Sequence, residues 1–315
     1  MATSTSPSGL RLIDTCVNLQ DTMFQGIYND KQKHEPDWES IKERAAVNGV
    51  EKMIGVSGSL EDSRQSLAVA QQNSNIFSTV GVHPTRCNEF EESGDAEAHL
   101  EALAALVGEG GANVVAIGEI GLDYDREHFC ARDVQMKFFE RQLDLAKRCQ
   151  LPVIFHNRNT NGDFEEVVKR RRGDFTTGIV HSFTGTREEM LELCALGLYI
   201  GINGCGLRTQ ELLDMVAAIP MEKLVVETDA PWCGIKASHA SSAHVSTKFA
   251  EVKKEKFVLG CMVKDRNEPA KVLEVVEVIA SIKGVDVSIV AQATYQNTLA
   301  ILFSGVQSAP IVTTT

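Results

Sequence analysis

Short apolar runs alternate with amphipathic segments along most of the 315-residue chain. A run of β-branched and aliphatic residues that lacks polar alternation is typical of a parallel strand covered on both faces. Between these runs, apolar residues recur at helical spacing over 37–47, 59–72, 96–107 and 131–148. The pattern predicts about eight strands, the first of them at 10–19. The ends of successive strands lie roughly 22–39 residues apart, which is the spacing of βα units. The pattern predicts an α/β fold, a TIM (β/α)8 barrel.

The alternation continues without a linker that would divide the chain, so we predict a single barrel domain over 10–303. Such barrels typically need about 250 residues. Residues 1–9 and 304–315 are predicted to form a flexible N-terminal extension and a flexible tail. The segment 233–265 is rich in Ser, His, Ala and Lys and is predicted to form a long loop over the catalytic face. Helices over 270–282 and 287–302 are predicted to close the fold.

The composition indicates the cellular compartment in which the protein works. No apolar stretch approaches the roughly 20 residues that span a bilayer, and the N-terminus lacks the apolar core of a secretory signal. The eight cysteines are scattered and include no CxxC pair, a pattern that favours reduced thiols over a disulfide framework. We therefore expect a cytoplasmic or nuclear protein that has no membrane partner.

The formal net charge of −12 argues against a protein that coats a polyanion electrostatically. It does not exclude a nuclease, because divalent metal ions can supply the positive charge that meets a phosphate. The charge balance therefore favours a pocket that grips a few phosphates over a broad basic groove.

Five apolar runs each end in a residue that can hold a metal ion or a phosphate, namely His83, Glu119, His156, His181 and Asp229. In barrels, catalytic groups come from the carboxyl ends of several different strands. A carboxylate at Glu119 can bridge two divalent cations, and imidazoles suit Zn²⁺, Mn²⁺ and similar ions. Asp229 can touch the metal and accept a proton from the attacking water. Such a site would acidify a bound water and polarise a phosphoryl or acyl oxygen.

Each of the other polar residues near these strand ends allows a functional and a structural interpretation. His83 precedes Pro84 and could contact a phosphate or act as an acid, or be structural. Arg158 and Arg126 could hold phosphate oxygens or form ion pairs at the barrel rim. Glu227 could support the metal ligands or fill the barrel interior. The remaining histidines are predicted at the surface, with His239 and His244 as exceptions if the long loop covers the site: His34, His99, His128, His239 and His244.

The motifs GVHP, AIGEIGLD, PVIFHNRN, IVHSFTGT, YIGING, ETDAPW and DRNEPA resemble, in family order, those of the TatD family of metal-dependent deoxyribonucleases. That family lies within the amidohydrolase-like barrels, and the resemblance covers nearly all of 11–303. It implies a TIM barrel, a divalent-metal centre and phosphodiester hydrolysis, often as a 3′-to-5′ exonuclease on DNA. Carried over by motif, the metal ligands fall on Glu119, His156, His181 and Asp229. His83, Arg158 and Asn203 are the predicted substrate contacts.

The chain departs from the family pattern at the end of the first strand. Many members carry His-x-His there, whereas this chain has Cys16 and Asn18 after Asp14. One branch, which includes eukaryotic members, resembles this chain in having Asn. An Asn carbonyl would leave a site resting on few carboxylates and waters, as expected for weakly held Mg²⁺, with Mn²⁺ or Zn²⁺ as alternatives. Cys16 could bind zinc but is favoured as a core residue, so one or two ions remain open.

The sequence therefore predicts a Mg²⁺-dependent deoxyribonuclease in which Asp229 and Glu119 are catalytic. Single-stranded DNA with a free 3′ end is the expected substrate, because a strand end enters a pocket readily and needs no unpairing. Two alternatives stay open. One is a metal-dependent hydrolase of a small carbonyl substrate, such as a lactone or an acylated metabolite. The other is a non-catalytic barrel that serves as an interaction module. The oligomeric state is not predicted.

Overall fold

The computed structural model describes residues 9–304 and contains an eight-stranded parallel sheet in which each strand pairs with the next along the chain. The predicted TIM barrel is confirmed. The termini predicted to be flexible lie outside the described residues, apart from Gly9 and Ser304. The strands are β1 (Leu12–Val17), β2 (Val50–Gly55), β3 (Ile76–Val80), β4 (Val114–Asp123), β5 (Val153–Arg158), β6 (Gly178–Val180), β7 (Tyr199–Ile202) and β8 (Leu224–Val226).

The first and last strands meet at the carboxyl end of the sheet. A parallel bridge joins Val17 to Ala230. Asn18 N–H donates to the Ala230 carbonyl at 2.9 Å, and Asp229 N–H donates to the Cys16 carbonyl at 2.9 Å. These bonds close the barrel, so the residues that follow β1 and β8 share one mouth with those that follow the other strands.

Helices lie between the strands and cover the outside of the barrel. Several begin at a side-chain cap; Ser59 accepts a hydrogen bond from Asp62 N–H, and Thr186 forms a capping box with Glu189. The helices are α1 (Trp38–Val47), α2 (Leu60–Gln72), α3 (Asn88–Glu92), α4 (Ala96–Gly110), α5 (Arg132–Cys149), α6 (Asp163–Arg170), α7 (Arg187–Ala195), α8 (Gln210–Ala218), α9 (Val272–Lys283) and α10 (Val287–Leu302).

The core has two parts. The larger cluster packs strands against the surrounding helices, for example through Phe138 and Phe139 of α5. The smaller cluster takes side chains from different strands together with the end of α10: Ile13, Ile54, Ala116, Ile154, Ile179, Val225, Ile301 and Phe303. We interpret it as the barrel interior, which α10 closes at the end opposite the mouth.

The segment 233–265 was predicted to lie over the catalytic face, but only its start, up to Ala240 on the cavity-lining Arg208, is seen to contact that face. Its first residue, Cys233, lines the cavity at the barrel mouth. Further along, Thr247 N–H donates to the buried Glu277 carboxylate of α9 at 3.0 Å. The Phe257 ring then stacks on His34 with centroids 4.3 Å apart. The segment therefore runs along the side of the barrel, because the Glu277 carboxylate holds its middle part there.

His34 is also a correction, since it was predicted at the surface. Its side chain is buried and its Nε2 lies 3.1 Å from the Tyr28 hydroxyl. The ring is covered by Phe257 of the segment 233–265, a contact between residues far apart in the chain that helical or strand periodicity cannot indicate.

A buried ionic network ties the segment 266–268 to the start of α1. The guanidinium of Arg266 is fully buried and donates to both carboxylate oxygens of Asp37, at 2.7 and 2.6 Å. It also donates to Glu268 at 2.8 Å, and Arg44 of α1 donates to the other oxygen of Glu268 at 2.8 Å. The network gives the DRNEPA motif a structural role, because it connects the segment 266–268 to the start of α1. Within residues 9–304, no helix is both long and apolar enough to cross a membrane.

Candidate active site

A cavity of about 560 Å³ opens at the mouth of the barrel, where the carboxyl ends of the strands meet. All five strand-end residues singled out in the sequence line it: Glu119 and His156 lie in β4 and β5, and His83, His181 and Asp229 lie within three residues after β3, β6 and β8. The lining is mostly polar and includes Asn18, His83, Glu119, Arg126, His156, Arg158, His181, Arg208, Asp229, Trp232 and Cys233.

Glu119 reaches the centre of the cavity because β4 and β5 approach each other closely. All ten residues of β4 are buried, and two of them, Gly118 and Gly121, have positive φ angles of 154° and 147°. A Cβ atom on Gly121 would overlap the carbonyl oxygen of His156. Glycine is therefore required for the approach that places the Glu119 carboxylate beside the side chain of His156.

Glu119 and two histidines form the tightest polar cluster of the cavity. Oε1 of Glu119 lies 2.6 Å from Nδ1 of His156 and 2.7 Å from Nε2 of His181. One atom from each of the three residues lies within 4.8 Å of the others. A carboxylate with two imidazoles is a donor set that divalent cations such as Mn²⁺ and Zn²⁺ accept.

The charges of this cluster are strongly coupled. Burial alone would raise the pKa of Glu119, but the nearby His181 and His83 and the hydrogen bonds from His156 and His181 lower it well below its usual range. Burial alone would lower the pKa of His181. The nearby carboxylate of Glu119 outweighs the effect of burial and raises that pKa well above its usual value. The pKa of His156 is raised in the same way against burial, by Asp123 and Glu119. The cluster thus favours positive charge beside Glu119.

Further carboxylates stand behind the two imidazoles. Oε1 of Glu227 lies 3.3 Å from Nδ1 of His181, on the side of the ring away from Glu119. Oδ2 of Asp123 lies 3.2 Å from Nε2 of His156. Carboxylate support of a histidine is typical of metal sites, because it orients the ring and raises its basicity. The residues present therefore fit a divalent cation at Glu119, His156 and His181.

His83 is set up as a donor rather than a ligand. Its Nδ1 accepts the N–H of Thr85 at 3.2 Å, so in the neutral ring the proton is assigned to Nε2. Burial, followed by the charge of His156, lowers the pKa of His83 to about 3, which keeps the ring neutral. Its Nε2 lies 3.5 Å from Oε1 of Glu119. The N–H of His83 therefore points into the cavity, where it can meet an anionic oxygen.

Asp229 lies in the same cavity, on the wall beside β1. Asn18 Nδ2 donates to its Oδ1 at 2.9 Å, and Cys233 Sγ donates to its Oδ2 at 3.1 Å. Cys16 is fully buried and its Sγ lies 3.6 Å from Oδ1 of Asp229. Burial is the main cause of a raised pKa at Asp229. In this arrangement Asn18 turns its amide N–H₂, and not its carbonyl oxygen, toward the carboxylate.

The two arginines singled out in the sequence both line the cavity. Arg158 Nε donates to Oδ2 of Asp125 at 2.8 Å, and its side chain is 44% exposed. Arg126 lies 3.8 Å from Oδ2 of Asp123 and is 48% exposed. Each arginine therefore forms an ion pair at the barrel rim and also lines the cavity, and phosphate binding by either of them stays a prediction.

Asn203 is placed differently from its prediction as a substrate contact. It is fully buried behind the cavity wall, and its Nδ2 donates to Oε1 of Glu227 and to Oγ of Ser182, both at 3.0 Å. Its Oδ1 accepts the N–H of Cys205 at 2.9 Å. Because its polar atoms are used in this way, Asn203 supports Glu227 and the loop after β7 and does not line the cavity.

Sequence reasoning missed part of the cavity wall. Trp232 is 51% exposed and lines the cavity, three positions after Asp229 in the motif ETDAPW. The tryptophan in ETDAPW, close in sequence to the candidate residue Asp229, was the available signal. Arg208, Cys205 and Cys233 also line the cavity but lie in loops without a pattern that marks them.

A comparison with known families decides the assignment, since the model of the TatD related DNase family matches residues 13–303. The chain belongs to this family. The predicted membership is confirmed, and like the family the chain is a hydrolase. It is 42% identical over 299 residues to the protein named Deoxyribonuclease Tat-D of Schizosaccharomyces pombe, covering 93% of this chain and 96% of that protein.

Two further relatives of this TatD-related chain extend the comparison. A protein of Citrobacter rodentium named 3′-5′ ssDNA/RNA exonuclease TatD is 35% identical over 293 residues, covering 91% of this chain and 95% of its own. The crystal structure of a hydrolase TatD family protein from Entamoeba histolytica superposes with a TM-score of 0.88 at 34% identity, covering 93% of this chain and 98% of that one. Both cover nearly the whole barrel.

Proposed function

We propose that this TatD-related hydrolase is a divalent-metal-dependent deoxyribonuclease that removes nucleotides from the 3′ end of single-stranded DNA. The observation that carries the proposal is the cluster of Glu119, His156 and His181 in a cavity that three arginines also line. The names of the Schizosaccharomyces and Citrobacter relatives support DNA and a 3′-to-5′ direction. Eight free cysteines suit a reducing compartment, so we place the activity in the cytoplasm or nucleus.

Different residues of the cavity have different roles in the proposed hydrolysis. Glu119, His156 and His181 would hold the cation, with Asp229 beside them, and the bound cation would supply an acidified water and a polarised phosphoryl oxygen. Asp229 is the proton acceptor, because its carboxylate lies in the cavity beside the proposed cation and is oriented there by the donors Asn18 and Cys233. The neutral ring of His83 donates its Nε2–H to an oxygen of the scissile phosphate.

The phosphate chain of the substrate would be held by Arg126, Arg158 and Arg208, which bring positive charge to one cavity of a chain with a net charge of −12. The exposed ring of Trp232 offers a surface on which a base can stack, a contact worth about 1–3 kcal/mol. A cavity of about 560 Å³ suits a small ligand or a strand end and is too small for a duplex segment.

The small-carbonyl alternative is less well supported, because three arginines around the cavity suit an anionic substrate better than a neutral lactone. The non-catalytic alternative is set aside, since the chain belongs to a hydrolase family and keeps the Glu119, His156 and His181 cluster. Mg²⁺ remains the proposed ion, and Mn²⁺ and Zn²⁺ are the alternatives that the imidazoles allow.

A degradation assay tests the proposal directly. Linear single-stranded DNA labelled at the 3′ or the 5′ end and circular single-stranded DNA are incubated with the protein and with Mg²⁺, Mn²⁺ or Zn²⁺. We expect mononucleotides released first from the 3′ label, no cleavage of the circle, and no activity in a chelator. Equal cleavage of the circle would contradict exonuclease action, and turnover of a lactone without action on DNA would favour the alternative.

Matched variants connect the activity to the cluster. Glu119→Gln keeps the size of the side chain but removes the charge between the two imidazoles, and we expect turnover to fall at least about a hundredfold. Glu274→Gln removes another buried carboxylate, on α9, and should leave turnover unchanged. Wild-type turnover by Glu119→Gln would refute the assignment of the centre.

A further inference from the structure

Two thiols meet at the wall of the active-site cavity. The Sγ atoms of Cys205 and Cys233 lie 2.9 Å apart, and both side chains line the cavity. Both are free cysteines and only partly buried, so a small solute that enters the cavity reaches them. Cys205 follows β7 and Cys233 follows β8, which makes the contact a link between two catalytic loops.

The backbone holds the two loops against each other. A Cβ atom on Gly204 would overlap the carbonyl oxygen of Cys233 and would lie 3.0 Å from the carbonyl carbon of Gly234. Cys205 N–H donates to Oδ1 of the buried Asn203 at 2.9 Å, and Trp232 N–H donates to the Asp229 carbonyl at 2.9 Å. Each thiol is thus anchored on its own strand end, and a relative shift of about 0.9 Å brings the sulfurs to a bond length of about 2.05 Å.

We propose that Cys205 and Cys233 form a modification site, a thiol pair that a peroxide oxidises reversibly to a disulfide. One sulfur attacks a peroxide oxygen, the O–O bond breaks, and a sulfenic acid and one water form. The second sulfur attacks the sulfenic sulfur, the S–O bond breaks, and a second water leaves. In total, two thiols and one hydrogen peroxide give one disulfide and two waters, and the two thiol hydrogens end in the waters. A dithiol reverses the reaction by thiol–disulfide exchange.

The disulfide acts on the active site through Asp229. In the reduced protein, Cys233 Sγ–H donates to Oδ2 of Asp229 at 3.1 Å. Oxidation removes that hydrogen and draws the sulfur toward Cys205, so the carboxylate loses one of the donors that orient it. We expect the oxidised protein to cleave DNA roughly tenfold more slowly, the size expected for a lost hydrogen bond to a charged group. This effect on rate rests on the proposed function, whereas the disulfide itself does not.

Peptide mass spectrometry of the full-length purified protein tests the disulfide. Trypsin releases Cys233 within 224–236 and Cys205 within 188–208, a peptide that also contains Cys194. After treatment with hydrogen peroxide we expect these two peptides linked, lighter by two hydrogens than their sum, and separated again by dithiothreitol. The link should be absent in Cys205→Ala and should persist in Cys194→Ala, the control variant within the same peptide. Sulfinic acid at either cysteine without a link, or a link retained in Cys205→Ala, would overturn the proposal.

A second arm measures the effect on DNA cleavage. Each variant is compared before and after peroxide with its own reduced rate, and recovery by dithiothreitol is recorded. We expect wild type and Cys194→Ala to lose rate together with appearance of the link, and Cys205→Ala to keep its own reduced rate. If the link forms while the rate stays constant, the control of Asp229 by the disulfide is refuted. A protein without any DNA cleavage would refute the proposed function alone, since the masses do not depend on turnover.

Discussion

Replacing Glu227 by Gln tests whether this buried carboxylate supports the metal centre or only fills the barrel. Oε1 of Glu227 accepts the N–H of Ser182 at 2.7 Å and Nδ2 of Asn203 at 3.0 Å, and it lies 3.3 Å from Nδ1 of His181. A Gln side chain keeps an oxygen that can accept the two hydrogen bonds. It removes the negative charge that raises the basicity of the His181 ring.

The expected magnitude follows from these contacts. Loss of a carboxylate behind a metal-binding histidine typically costs 10–100-fold in metal affinity, which corresponds to about 1.4–2.8 kcal/mol. Glu227→Ala differs, because it leaves the donors of Ser182 and Asn203 without their acceptor, at about 1–3 kcal/mol of folding stability each. We therefore expect the Gln variant to lose metal affinity and the Ala variant to lose stability as well.

The assay measures DNA cleavage as a function of Mn²⁺ concentration, with calorimetric titration of Mn²⁺ as a direct measure of binding. Urea unfolding of each variant separates affinity from stability. Glu274→Gln serves as the control, since it also removes one buried glutamate carboxylate but lies on α9. An unchanged Mn²⁺ midpoint in Glu227→Gln, with the folding stability of wild type, would refute the idea that Glu227 supports His181.

Three further variants test separate parts of the structure. Arg158→Ala should raise KM for single-stranded DNA several-fold and leave Mn²⁺ binding unchanged in the titration, because a guanidinium cannot ligate a cation. Arg266→Ala removes the fully buried guanidinium that Asp37 and Glu268 share, leaving Arg44 as their remaining cation, and should lower the free energy of unfolding in urea by about 3 kcal/mol, whereas Arg266→Met should cost less. Burial raises the pKa of Glu274 to about 7. Because this folded-state pKa lies above the unfolded value, wild type loses stability as pH rises from about 4.5 to 7, so Glu274→Gln should be more stable by roughly 3 kcal/mol at pH 8 and equal at pH 4.

The barrel could be predicted from the sequence because strand and helix periodicity are local signals. The helices expected over 37–47, 59–72 and 131–148 are observed at Trp38–Val47, Leu60–Gln72 and Arg132–Cys149. The rule that the carboxyl ends of barrel strands share one mouth also predicts that Glu119, His156 and His181 lie together, as they do in the structure. Their assignment as metal ligands stays a prediction until metal binding is measured.

The parts that could not be predicted depend on contacts between distant segments. The path of 233–265 is set by hydrogen bonds to Glu277, thirty residues further along the chain from Thr247. The burial of Asn203 is set by its bonds to Ser182 and Glu227, which come from other strands. A polar residue at a strand end can face the cavity or stand behind it, and spacing alone does not distinguish the two.

The position of Asp229 shows what Cys16 and Asn18 do in place of the histidines of the family pattern. Asn18 N–H₂ and the Cys16 thiol both face Oδ1 of Asp229, so neutral donors occupy the positions at the end of β1 where the family pattern has imidazoles, while the Cys233 thiol donates to Oδ2. Neutral donors orient a carboxylate but do not hold a cation. The strong donor set is therefore concentrated at Glu119, His156 and His181, on the far strands of the mouth. We accordingly expect one ion to be bound tightly there. Asp229 then stays available for proton transfer, and the thiol of Cys233, which donates a hydrogen bond to it, can change its activity.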